Sequence, residues 1–290
     1  MPLLMSLEEA RKGKLLPGYE NTFVPALSGI FEFTLDAEEL LEFVKWEDLA
    51  SMWKVKGGEA EKDLISDAKV LAGKIGKKIS CKGVAGIFPA YSKEDDIYIL
   101  SPSGEKLFPM LRNQKNSYSL ADYIAPEGMG KKNGRDHIGV FALSCGFGVP
   151  EIVKEFEENG DSYSALLTAC FADILAEAFA EYLHKKVREQ LWGWGSSYEG
   201  IRPAPGYPAC PDHTLKKDIF QLLDVEKRLG IILTSSYMMT PEASVCGFYF
   251  AHPDAKCMAV GVLGEDQIKD YSSRRGMKEE DLLPFIAFAR

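Results

Sequence analysis

Apolar positions along the chain change their period several times, and each change marks an element. Past Asp36, a plausible helix cap, Leu40, Leu41 and Val44 fall at helical spacing. The stretch GGEAEKDLISDAKVLAGKIGKK repeats the pattern with Leu64, Ala68, Leu71 and Ile75, which predicts an exposed helix. The period then shortens: CKGVAGIFPAYSKEDDIYILSPSGEKLF holds two β-rich runs around a polar turn at Ser92–Asp95, a hairpin, and a further strand is expected from Ile138 to Leu143. The longest periodic run, DSYSALLTACFADILAEAFAEYLHKKVREQLWGWG, has Asp161 or Ser162 as cap and glycines at its end. Leu167, Phe171, Ile174, Leu175, Ala178, Phe179, Tyr182 and Leu183 make one broad stripe, so this helix should pack across a sheet. Downstream, GIILTSSYMM, SVCGFYFA and KCMAVGVL read as three strands of an antiparallel meander, joined by TPEA and HPD turns. Helices are predicted from DIFQLLDVEKRLG before it and from GEDQIKDYSSRRG and KEEDLLPFIAFA after it. Strands adjacent in sequence with helices around them argue for an α+β fold.

Composition narrows the class. The chain has 290 residues, 46% of them hydrophobic and 27% charged, enough for a large buried core. Its net charge of -9 and the lack of a dense Lys/Arg run argue against nucleic acid as a partner. The six cysteines are scattered, with no CxxC pair, so free thiols in a cytoplasmic protein are the simplest account. No apolar run approaches the ~20 residues of a membrane span, and the N-terminus has no signal-peptide core. Residues 1–35 are expected to form an N-terminal extension on a single domain of residues 36–290.

Few motifs carry chemistry. Gly146-x-Gly148 lacks the third glycine and the βαβ frame of a nucleotide site. Glu181 and His184 have a spacing seen in metal sites of helical bundles, but Lys185, Lys186, Arg188 and Glu189 surround them, which favours a solvated edge. The segment GIRPAPGYPACPDHT stands apart. Pro203, Pro205, Pro208 and Pro211 forbid a helix or a central strand and hold the loop extended, so that it presents Arg202, Tyr207, Asp212 and His213 on a stiff frame. Arg202 suits a carboxylate, and Asp212 is placed to cap the next helix.

That segment, with LADYIAP, KGVAGIFPA, ILAEAFAEYLHKKVR, LLDVEKRLGI, ASVCGFYFAHPDAKCMAVG and DQIKDYSSRRGM, resembles the C-terminal activation domain of cobalamin-dependent methionine synthase, in order from about Leu40 to Met277. The resemblance implies a C-shaped α+β domain with a twisted antiparallel sheet and long helices. It implies a groove for S-adenosylmethionine along the proline loop, and a repair task in which oxidised cobalamin on a partner module receives an electron from a flavodoxin-type donor and a methyl group from S-adenosylmethionine. By the same resemblance Arg202 holds the ligand carboxylate, Ala204 gives backbone contacts, Glu177 lies near the cationic end, and Tyr207 faces the corrin.

Two positions depart from the family pattern. Lys45 precedes Trp46 where the family has a ligand-binding aspartate, leaving Glu47 or Asp48 to supply the carboxylate, and Cys257 and Met258 replace an aromatic pair that lines the ligand. The family's cobalt-ligating DxHxxG motif, zinc cysteines and folate barrel have no counterpart, so the chain reads as a separately encoded reactivation subunit. A second reading stays open: a docking protein that keeps the fold but has lost S-adenosylmethionine, with Lys45, Cys257 and Met258 marking the loss.

Overall fold

The computed structural model describes residues 4–131, 134–195 and 198–287. In chain order the elements are α1 (Leu7–Lys12), β1 (Gly29–Asp36), α2 (Ala37–Leu40), α3 (Trp46–Met52), α4 (Gly58–Ile75), β2 (Ser80–Lys93), β3 (Asp96–Ser101), β4 (Gly104–Pro109) and β5 (Asp136–Phe147). They continue with α5 (Val149–Glu158), α6 (Ser162–Lys186), α7 (Leu215–Leu223), α8 (Val225–Leu229), β6 (Ile232–Leu233), β7 (Met239–Thr240), β8 (Ser244–Tyr249), α9 (Glu265–Arg275) and α10 (Glu279–Leu282).

One antiparallel sheet runs β4-β3-β2-β5-β8, and β1 pairs with the first half of β2 on the edge whose second half takes β3. β2 and β5 are buried on both faces because alternate residues feed two cores. Cys81, Ala85 and Ile87 with Phe141, Leu143 and Cys145 meet α2, α3, α4 and α6 on one side. Val84 and Phe88 with Ile138, Val140 and Ala142 meet α7 and α8 on the other. The α+β class expected from the pattern is the fold observed.

The predicted stripe of α6 lies in the first core, with Phe171, Leu175, Phe179 and Leu183 fully buried, and Asp161 caps the helix by accepting from the Ser164 amide at 3.0 Å. By length and composition Ser162–Trp192 would suffice to cross a membrane, but 61% of its apolar window is buried inside the protein. The hairpin at Ser92–Asp95 and the strand at Ile138–Leu143 are present, the strand extended to Asp136–Phe147. The predicted helix DIFQLLDVEKRLG is interrupted at Asp224, whose φ of 53° ends α7 and starts α8.

The meander is not observed. GIILTSSYMM folds into the separate β6–β7 pair, SVCGFYFA becomes β8 beside β5, and KCMAVGVL forms no strand. Its backbone is held by loops instead: the Val260 amide donates to the Pro208 carbonyl at 2.8 Å, and the Ala259 carbonyl accepts from Asn113 Nδ2 at 2.9 Å. Alternation favours extended chain but does not name a ladder partner. Residues 29–35, expected in the N-terminal extension, lie in β1 and pair with β2.

Candidate functional site

The proline loop is fastened to the edge strand β8. Ile201 and Phe250 exchange backbone hydrogen bonds at 3.2 and 3.0 Å, and the Phe248 amide donates to the Pro203 carbonyl at 3.0 Å. Gly247 permits this approach, since a Cβ there would lie 2.5 Å from the Pro203 oxygen. Past Pro205 the chain turns back: Gly206, at φ 96°, donates to the Cys210 carbonyl at 2.8 Å, and the Cys210 amide donates to Tyr207 at 2.9 Å. A side chain at Gly206 would also strike the His213 ring. Tyr207 is left at the tip, 54% exposed. Asp212 anchors the far end, accepting from the Thr214 amide and the Tyr271 hydroxyl, both at 2.7 Å, with Arg275 Nε at 3.4 Å. It does not cap α7 as expected: Thr214 is the N-cap and no side chain caps the helix, so Asp212 instead holds Thr214 from within a buried network.

Between this loop and α6 lies a cavity of about 300 Å³ lined by Arg202, Glu177, Ala204, Tyr207, Val245 and Cys257. Arg202 enters it, and its Nη1 donates to Glu181 Oε2 at 2.5 Å. Burial would raise the Glu181 pKa, but the Arg202 hydrogen bond and charge outweigh it and hold the carboxyl below its ordinary value. An adjoining groove of about 250 Å³ gathers Asp48, Asp173, Glu177 and Glu242 against Tyr207. Burial and then Glu242 raise the Asp173 pKa, while burial, Glu177 and Asp173 raise that of Tyr207. On the other side of Tyr207 a cavity of about 670 Å³ reaches His213, Lys216 and Met238. Lys216 is buried, which lowers its pKa, and its ammonium donates to the Tyr237 carbonyl at 3.1 Å.

Arg202, Ala204, Glu177, Tyr207 and Cys257 thus meet at one cavity. Met258 does not join it and packs against the second core. Lys45 is exposed at the N-cap of α3, outside the lining, although its charge reaches Glu181. The expected solvated edge at Glu181 and His184 is corrected. Glu181 is paired with Arg202, and His184 is 4% exposed, stacked on Tyr249 with ring centroids 5.2 Å apart. No group of three or more metal-ligating side chains occurs among the described residues.

A family model described as "Vitamin B12 dependent methionine synthase, activation domain" matches residues 36–276. The chain belongs to that family. Among solved structures, one titled as a crystal structure of the MetH reactivation domain bound to AdoHcy is 35% identical, with 97% of each chain covered and a TM-score of 0.90.

Asp173 and Glu242 are the acidic residues of this activation domain's site that no sequence motif marks. Asp173, Glu177 and Glu181 recur every fourth residue, so α6 presents three carboxylates on one face, a spacing visible in the sequence. Glu242 joins them only through the β7–β8 connection, a proximity that no local pattern encodes.

Proposed function

We propose that this activation domain binds S-adenosylmethionine in the cavity beside the proline loop and offers its methyl group to cobalamin carried by a partner module of methionine synthase, restoring a cofactor lost to oxidation. Supporting the reading is the placement of Arg202: a permanent cation at a cavity whose continuation is acidic and whose rim ends at the exposed ring of Tyr207. The ligand has a carboxylate for Arg202 and positive charge for Glu177, with Asp48 on α3 supplying the carboxylate that Lys45 does not. Pro203, Ala204, Val245 and Ala209 give apolar wall for the nucleoside, with Cys257 beside them. The size fits as well, because the two adjoining hollows of about 300 and 250 Å³ together fall in the range of small-molecule sites.

No side chain here need act as nucleophile or general base. Cobalamin reduced by one electron from a flavodoxin-type donor supplies the nucleophile, and the sulfonium supplies an activated methyl group. The chain's residues position the donor, and the stiff loop holds Tyr207 toward the docking face at low ordering cost.

Calorimetric titration with S-adenosylmethionine tests the reading. Arg202→Ala should weaken binding by about 2–5 kcal/mol, the penalty for truncating a charge-assisted contact. Equal affinity in the variant removes the carboxylate assignment. Absence of binding to the wild-type protein instead favours a docking protein without this ligand.

A further inference from the structure

The cavity of about 670 Å³ beyond Tyr207 has a cation in its wall that the methyl transfer proposed above does not use. Lys216 of α7 is 6% exposed, and its ammonium has one hydrogen bond among the described residues, to the Tyr237 carbonyl at 3.1 Å. Two of its three N–H donors are left over. The carboxylates of the surrounding chain are engaged elsewhere. Asp218, on the same helix, is taken by Lys106 at 3.5 Å and Arg275 at 2.8 Å, and Asp212 by Thr214, Tyr271 and Arg275. Glu242 borders the cavity but is exposed and acts on Asp173 of the adjoining groove. No carboxylate figures among the groups acting on Lys216, where burial comes first and the Cys246 thiol follows. A buried ammonium without a counter-charge is costly to keep, and a ligand that brings one relieves that cost.

The rest of the wall suits an organic body. Pro205, Val245, Met238 and Met239 are apolar, while the hydroxyls of Thr234 and Ser244 are engaged by Ser236 at 3.0 Å and by the Pro241 carbonyl at 2.6 Å. His213 Nδ1 is buried without a partner among the described residues. Burial, followed by the Lys216 charge, lowers the His213 pKa, so at neutral pH the ring offers a hydrogen bond and no second charge. One cation beside a neutral imidazole matches a single negative charge better than the two of a phosphate. We propose that this cavity is a second ligand site, for a small organic monocarboxylate whose carboxylate meets Lys216 and whose apolar body lies along Pro205, Val245 and the two methionines. Methionine side chains adapt to varied shapes, which suits them to such a wall. The site shares Ala204 and Tyr207 with the cavity beside Arg202 but not Arg202, Glu177 or Cys257, so it goes beyond the binding of S-adenosylmethionine and stands without it.

The methyl groups of Met238 and Met239, isotope-labelled and assigned by Met238→Leu and Met239→Leu, report occupancy of the cavity by nuclear magnetic resonance. Three probes are titrated without S-adenosylmethionine: hexanoate, hexanol, which has the same apolar body and no charge, and inorganic phosphate. In wild type hexanoate should shift both methyl signals saturably, with a Kd of about 1 mM or tighter, and hexanol and phosphate should bind at least tenfold more weakly. Lys216→Leu should weaken hexanoate at least tenfold and leave hexanol as it was. Without ligand, Lys216→Leu should melt no lower than wild type, because it removes an uncompensated buried charge, and hexanoate should raise the melting temperature of wild type alone. The site is overturned if hexanoate leaves both methyl signals in place, if hexanol binds as well as hexanoate, or if Lys216→Leu keeps the wild-type affinity. Tighter binding of phosphate than of hexanoate overturns the carboxylate assignment. Should Lys216→Leu melt far below wild type, the wild-type comparison of hexanoate with hexanol decides, since it needs no substitution: equal affinities exclude the site.

Discussion

Tyr207 is a large aromatic residue on a loop too constrained to relax around it. Pro205 and Pro208 flank the turn, Gly206 takes a φ of 96°, and over half of the ring's residue surface faces solvent. A packing aromatic would be buried; this one borders all three hollows of the site. Its removal should therefore damage an encounter more than the fold or the ligand contacts. In Tyr207→Ala, reductive methylation of a cognate cob(II)alamin protein should fall by tenfold or more, while affinity for S-adenosylmethionine changes severalfold at most. Unchanged reactivation at unchanged melting temperature would make the ring a structural bystander. Tyr207→Phe then reports whether the hydroxyl, whose ionisation burial and two carboxylates disfavour, adds to the ring.

Elements far from the site are tied together by one buried arginine. Arg112 is fully buried, with Nε donating to Asp95 at 2.7 Å, Nη1 and Nη2 to Asp122 at 2.8 and 2.7 Å, and Nη1 also to the Ser117 carbonyl at 2.5 Å. Its backbone is gripped by Gln267 of α9, and Asp95 also pairs with Arg11 of α1 at 2.7 Å. The hairpin end, the Leu120–Tyr123 turn, α1 and α9 thus share one set of charges. Arg112→Met would leave two buried carboxylates short of a cation, which should cost about 3–5 kcal/mol of stability. A denaturation midpoint within experimental scatter of wild type would mean that Arg11 alone satisfies Asp95. Ligand affinity of the folded fraction should not change, because no part of this network lines the cavity beside Arg202.

Across the whole molecule two buried groups give opposite dependences on pH. Burial raises the Asp136 pKa to about 6, so its contribution is greatest in acid and is lost as pH rises from about 4 toward 6. Burial, then the Arg202 charge, lowers the His184 pKa from 6.5 to about 4, so its contribution is full above 6.5 and is lost as pH falls toward 4. In wild type the two slopes oppose each other over the shared window. Asp136→Asn should lose stability more steeply than wild type on acidification from pH 6.5 to 4, and His184→Phe less steeply. Melting curves measured at intervals across that window check both, and parallel curves for all three proteins would show that neither group titrates as its burial implies.

Each element with a strong period of its own was legible in the sequence. α4, α6, the β2–β3 hairpin and β5 follow from apolar spacing and caps, because a 3.6-residue or two-residue repeat fixes which face is buried whatever lies opposite. The proline loop was equally legible, since proline and glycine act on the backbone locally. Pairing was not. β8 leaves its neighbours in sequence for the side of β5, and the Cys257–Met258 segment is extended without a ladder, because strand partners are chosen by long-range packing. The same limit divides the site. Arg202, Glu177 and Tyr207 stand out by their motifs, whereas the match of Glu181 to Arg202 and the gathering of Asp48 and Glu242 around Tyr207 exist only once α3, α6, the proline loop and the β7–β8 connection have packed, for a side chain's charge is written in the sequence but its distance from another charge is not.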